Sequence, residues 1–213
     1  NKFDTVKFAQ LFIKKLKITN PDLKELPPLP EHITDLTCEG CINLVSLPEL
    51  PPYLEKLSCT ACNNLTGLPE LPRSLKLLNC QDCASLISLP PLPNGLRHLY
   101  CNRSGLQSLP DLPASLLTFS CTMTGHTLPE LRHTNLTKII IENCTNIIII
   151  PGLPDSVGAL TVEGCSNLER LPDLSQWVEM LVCSGCPRLT NLPTLPEQLV
   201  ELSLEHCYSL TGL

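Results

Sequence analysis

The chain has 213 residues, a formal net charge of −6, 21 prolines and an aromatic content of 4%. Its excess negative charge is repelled by nucleic-acid backbones and anionic membrane surfaces, so neither is an expected partner. Its longest unbroken aliphatic run, Ile147–Ile150, falls far short of the ~20 residues that a membrane-spanning helix requires.

Residues 1–25 are expected to form an N-terminal cap. Asp4–Lys17 places Val6, Leu11, Ile13 and Leu16 among lysines, with Phe3, Phe8 and Phe12. That pattern predicts a short capping helix ahead of an incomplete first repeat. From Leu26 onward, residues 26–213 hold a unit of about twenty-one residues that recurs nine times. Clean copies run Leu47–Gly67, Leu68–Ser88 and Leu192–Gly212. Units starting at Leu89 and Leu109 are shorter, and the one at Leu128 is longer and lacks its second proline, having Leu131-Arg132 there. Leu213 opens a further unit, so the array is expected to continue past this chain.

The consensus is L-P-x-L-P-x-x-L-x-x-L-x-C-x-x-C-x-x-L-x-x. Alternation around Leu57 and Cys59 has a period of two, which predicts a short strand with those residues inward and Lys56, Ser58 and Thr60 outward. Pro48, Pro51, Pro69 and Pro72 cannot donate to a strand ladder. They belong on a return path of extended, polyproline-like chain. Period and motif together predict a leucine-rich repeat solenoid. Short parallel strands form its concave face, and the proline-bearing segments form its convex side.

Thirteen cysteines, several spaced C-x-x-C as in Cys38-x-x-Cys41 and Cys59-x-x-Cys62, have the spacing of zinc ligands. The repeat columns favour another reading. One column runs Cys38, Cys59, Cys80, Cys101, Cys121, Ile141, Val162, Cys183, Leu204, so cysteine exchanges with residues that cannot bind metal. It acts there as a small hydrophobe. In the second column, Cys41, Cys62, Cys83, Ser104, Thr124, Cys144, Cys165, Cys186, Cys207, a weak donor is expected to bond a neighbouring carbonyl. No metal or cofactor is expected, and the abundance of thiols suits a reducing compartment. The five histidines fall in different columns, and no phosphate loop or nucleophile elbow is present, so no catalytic residue is expected.

The variable outward strand positions are the candidate partner-binding face. Leu77, His98 and Tyr100, flanked by Asn79 and Asn102, form one partly apolar cluster; Ile140, Met180 and Val182 form a second. Contiguous apolar patches with polar rims point to a protein partner. Tyr100 is the expected hot spot. Lys56, Lys138 and Glu201 add charge in the first outward column. Glu142, Glu163 and Glu205 make the third column acidic, favouring a basic complement.

The repeated L-P-x-L-P-x-x-L-x-x-L-x-C of Leu47–Cys59, Leu68–Cys80, Leu89–Cys101 and Leu109–Cys121 resembles the repeats of bacterial secreted effectors of the YopM, SspH and IpaH kind. The resemblance implies a module that binds host proteins inside the host cell. In several members of that family the array precedes a ubiquitin-ligase domain, so a second expectation is the substrate-recognition part of such an enzyme. Nothing in this chain matches that catalytic domain. The ending Cys165-Ser166-Asn167-Leu168 also resembles the repeats of plant intracellular immune receptors, which implies a sensor region as a third expectation.

Overall fold

The x-L-x-C alternation folds as a strand in every unit. The computed structural model describes Phe8 and residues 10–211. Its strands are β1 (Lys15–Ile18), β2 (Asp35–Cys38), β3 (Lys56–Ser58), β4 (Leu77–Asn79), β5 (His98–Cys101), β6 (Thr118–Cys121), β7 (Lys138–Glu142), β8 (Ala159–Glu163), β9 (Met180–Ser184) and β10 (Glu201–Glu205). They form one parallel sheet in sequence order. Register is locked across the array: Leu36, Leu57, Leu78, Leu99, Phe119, Ile139, Leu160 and Leu181 are paired one to the next. All eight are fully buried. Each contributes roughly 1.5–3 kcal/mol by leaving water, and each needs its neighbours above and below to do so.

Two tight turns close each regular rung, and both are written in the motif. In P-x-x-L the amide of the leucine donates to the proline carbonyl, as in Leu54 to Pro51 at 3.1 Å and Leu75 to Pro72 at 3.0 Å. In C-x-x-L the leucine amide donates to the cysteine carbonyl, as in Leu44 to Cys41 at 3.0 Å and Leu65 to Cys62 at 3.1 Å. Between the turns the L-P-x-L-P stretches carry no strand; among the described residues, isolated bridges join only Ile149, Arg170 and Asn191 on that side. Proline's missing donor explains why no ladder forms there.

The expected capping helix is not seen. Its last three residues, Lys15–Lys17, belong to β1, which pairs in parallel with β2. Residues 1–7 and 9 lie outside the described residues. The lysine-flanked Leu16 and Ile18 follow a period of two, and pairing against β2 rewards that period over the helical one.

The thiols sit where the columns placed them. All thirteen are free and twelve are buried. The second column forms a ladder of donors to the strand ends of the preceding rung. Cys62 Sγ donates to the Cys38 carbonyl at 3.5 Å, Cys83 to Cys59 at 2.9 Å, and Cys207 to Cys183 at 3.6 Å. Burial pushes the Cys38 and Cys62 thiols up to about 12 and Cys83 to about 11. It also raises Cys59 and Cys101 well above the ordinary value.

The short rungs keep their place by two substitutions of means. Ser104 caps within its own rung, donating to the Cys101 carbonyl at 2.7 Å. Thr124 is exposed, yet its hydroxyl donates to the Leu106 carbonyl of the preceding rung at 3.4 Å as the column expects, while Met123 is the residue buried in that rung. Its flexible thioether, packed against Gly125, fills space that the missing residues leave. At Gly105 the tightened turn brings the backbone so close to the preceding rung that a Cβ would strike the Ala84 carbonyl oxygen.

Two outcomes are expected. Gly105→Ala lowers stability by about 1–3 kcal/mol, because backbone rather than a flexible side chain must move; chemical denaturation measures it. In alkali, the unfolded chain releases thiol protons near ~8.5 while the fold retains them. The thiol contribution is therefore complete below the unfolded value and is lost as pH climbs through about 9 toward the folded values of about 11–12. The melting temperature should be level from pH 7 to about 8 and fall steeply above about 9. A level profile to pH 10.5 (roughly two units above the free thiol value) would contradict buried thiols.

Candidate protein-interaction face

Because successive strand residues point to opposite sides, fixing leucine and cysteine inward leaves three outward positions per rung in register. The first column pairs Lys56 with Leu77, Leu77 with His98 and His98 with Thr118. Further on it joins Lys138, Ala159, Met180 and Glu201. The second joins Asn79 with Tyr100 and Tyr100 with Ser120, then Ile140, Thr161, Val182 and Ser203. The third includes Glu142 directly opposite Glu163, then Ser184 and Glu205. The sequence-derived residues thus share one face. Leu77, Asn79, His98, Tyr100, Ile140, Glu142, Met180 and Val182 are half-buried, whereas Lys56, Lys138, Glu163, Glu201 and Glu205 are exposed.

The central cluster is ordered by ring stacking. His98 and Tyr100 lie nearly parallel, 3° apart with centroids separated by 6.5 Å. Leu77 borders His98 one strand away, so the patch presents stacked rings beside an aliphatic side chain.

Asn102 departs from the expectation of a contact residue: it is 1% exposed. Its Oδ1 accepts from Gln81 Nε2 at 3.4 Å and from the Ser120 hydroxyl, itself 3% exposed. Small hydroxyls on the flanking rung let the amide fold down onto the sheet, where it ties three rungs together instead of meeting a partner. Alternation marks Asn102 as outward, but only its neighbours decide whether outward is also accessible.

A further column was not legible as such. Residues two past the inward cysteine position take the left-handed conformation: Gly40, Ala61, Asp82, Arg103, Asn143, Gly164, Gly185 and His206, with φ between 51° and 65°. Three glycines plus Asn143 and Asp82 in one repeat column were the available signal, since these residue types tolerate that region best. The turn sets Asp82 and Arg103 at the sheet's rim, where they form a bidentate pair at 2.6 and 3.0 Å. The guanidinium's hydrogen bond holds the Asp82 carboxyl below its ordinary range. Arg103 also reaches Glu142 at 3.9 Å, across the short rung of β6, where Met123 takes the place of a left-handed residue. Among the described residues no ion pair engages Glu163, Glu201 or Glu205.

Known structures share this arrangement. The leucine-rich effector protein YopM from Yersinia pestis superposes with a TM-score of 0.51 at 25% identity, over 85% of this chain and 74% of that one. The fold is that of a leucine-rich-repeat effector. YopM from Yersinia enterocolitica WA-314 aligns with a TM-score of 0.49 at 25% identity, covering 90% of this chain. This chain spans about half of that protein's length, 51%. No family model and no curated protein sequence matches the chain. The likeness is to a leucine-rich effector, and this chain's repeats leave one open sheet face.

The two kinds of outward residue should separate by stability. Asn102→Ala is expected to cost about 1–3 kcal/mol, because the buried Ser120 hydroxyl loses its acceptor. Tyr100→Ala, at the half-exposed surface, should cost less than half as much. Paired urea titrations check the order, and equal losses would contradict it.

Proposed function

We propose that this chain is the recognition module of a secreted bacterial effector, without catalysis of its own, that binds a host protein through its concave sheet face. One observation carries the reading. On a sheet face lined mainly by hydroxyl, amide and charged side chains, two groups of apolar side chains stay half-exposed: Leu77 with Tyr100, and Ile140 with Met180 and Val182. The core does not require them, because the inward columns already fill it. Half-exposed aromatic and aliphatic residues ringed by polar ones are what a protein partner desolvates.

The likeness to YopM supports the effector part of the reading. Action in the reducing cytoplasm of a host cell agrees with thirteen free thiols. No helix among the described residues is long and apolar enough to cross a membrane. The binding chemistry needs no cofactor: it consists of stacked rings, aliphatic contact and rim charges.

The test is capture of host proteins from lysate by wild type and by Tyr100→Ala combined with Val182→Glu. The double variant should keep its circular dichroism and a cooperative melting transition only slightly lowered, since both residues point away from the core, and lose the captured partner by at least about tenfold. Undiminished capture by the folded variant would move binding off this face.

A further inference from the structure

Charge is not spread evenly along the solenoid. Residues 1–137 carry twelve Lys and Arg against twelve Asp and Glu, whereas residues 138–213 carry nine carboxylates against Lys138 and two arginines. The whole negative excess therefore belongs to the β7–β10 half. On the sheet face of that half, Glu142 and Glu163 stand directly opposite each other on paired strands. Like charges in that relation destabilise a sheet. Only Glu142 has a cation near it, Arg103 at 3.9 Å. Glu163 and Glu205 continue the same column in the open.

Beside this acidic column runs an apolar one. Ile140, Thr161 and Val182 are paired in line, with Ala159 and Met180 adjacent. The half-face thus has aliphatic side chains at its centre, interrupted by Thr161, and a carboxylate column along one edge, with Lys138 and Glu201 at the two ends of the other edge. An acidic peptide, a nucleic acid or an anionic lipid surface would be repelled by it. Purely aliphatic chain would leave the carboxylates uncompensated as water is excluded.

We propose that the β7–β10 half of the sheet face docks a basic segment of the partner, its aliphatic side chains on Ile140, Val182 and Met180 and its lysine or arginine side chains along Glu142, Glu163 and Glu205. This rests on the concave-face reading above and names the chemistry of its partner. Docking relieves the Glu142–Glu163 repulsion, so the free protein's unfavourable pair becomes a source of selectivity.

The probe is a fluorescein-labelled synthetic peptide of alternating leucine and lysine, compared with a leucine–glutamate peptide of equal length, read by anisotropy. Saturable binding of the lysine peptide alone is expected. Glu163→Lys with Glu205→Lys should weaken it at least about tenfold at low salt. Glu163→Gln with Glu205→Gln, which keeps the shape and removes the charge, should weaken it less. Asp155→Lys with Asp173→Lys, an equal change in net charge at exposed positions on the return side, should leave it unchanged. Val182→Ser should weaken it at both low and high salt, because the aliphatic contact is not screened. Equal weakening by the two charge-reversed proteins would reduce the effect to net charge and overturn the proposal, as would absence of saturable binding or equal binding of the glutamate peptide. If the peptide fails while Tyr100→Ala with Val182→Glu still abolishes lysate capture, the concave face stands and the partner's basic character falls. If lysate capture survives that double variant, the functional reading itself falls, whatever the peptide does.

Discussion

Each rung depends on the rung before it for partners that its own backbone and side chains cannot supply. A strand of three to five residues has no hydrogen bond within itself. Its leucine and cysteine bury only when identical positions lie above and below. The thiol of one rung caps a strand-end carbonyl of the last, as Cys83 does for Cys59. The in-register parallel stack is therefore the condition on which turns, core and surface all rest. Departures from the period are tolerated only where something restores the contact: Met123 by volume, Ser104 by an internal hydrogen bond, and Gly105 by having no side chain to obstruct the approach.

That dependence divides the labour between the two sides of every strand. Inward positions are constrained by neighbours on both sides, so they admit leucine, isoleucine, valine, phenylalanine or cysteine and little else. Outward positions carry almost no such constraint, which frees them to differ from rung to rung. The stacked His98 and Tyr100 rings, the Ile140–Val182 strip and the glutamate column are variations of this kind. They influence the scaffold's stability far less than the inward columns do, so the face can be tuned for a partner at small cost to the fold.

Turn chemistry links the two roles. The left-handed residue that follows every strand but β1 and β6 lets the chain leave the sheet, and its side chain stands at the rim of the candidate face. Where that residue is glycine the rim is bare. Where it is Asp82 or Arg103, adjacent rungs are joined by a bidentate ion pair, and Arg103 reaches on to Glu142 over the short rung. The arginine that might have neutralised the acidic half is thus occupied at its border. Glu163 and Glu205 are left open, so the electrostatic character of the face is set by turn geometry as well as by composition.

The repeat period, the inward columns and the place of the prolines could all be read from residue order, because a period of two and a proline's missing donor act locally and identically in every unit. The same logic put the thiols inside and gathered the candidate contact residues on one face. Tertiary structure decided what depends on neighbours. Lys15–Lys17 became a strand because β2 offers a parallel partner, which local lysine-flanked apolar spacing does not reveal. Asn102 turned inward where Ser120 and Gln81 on adjacent rungs donate to its amide oxygen, although its Nδ2 finds no partner. In the short rung Met123 is buried while the exposed Thr124 keeps its hydroxyl bond to the Leu106 carbonyl. Alternation states which way a side chain points; only the stacked rungs on either side determine whether it is then covered, paired or free.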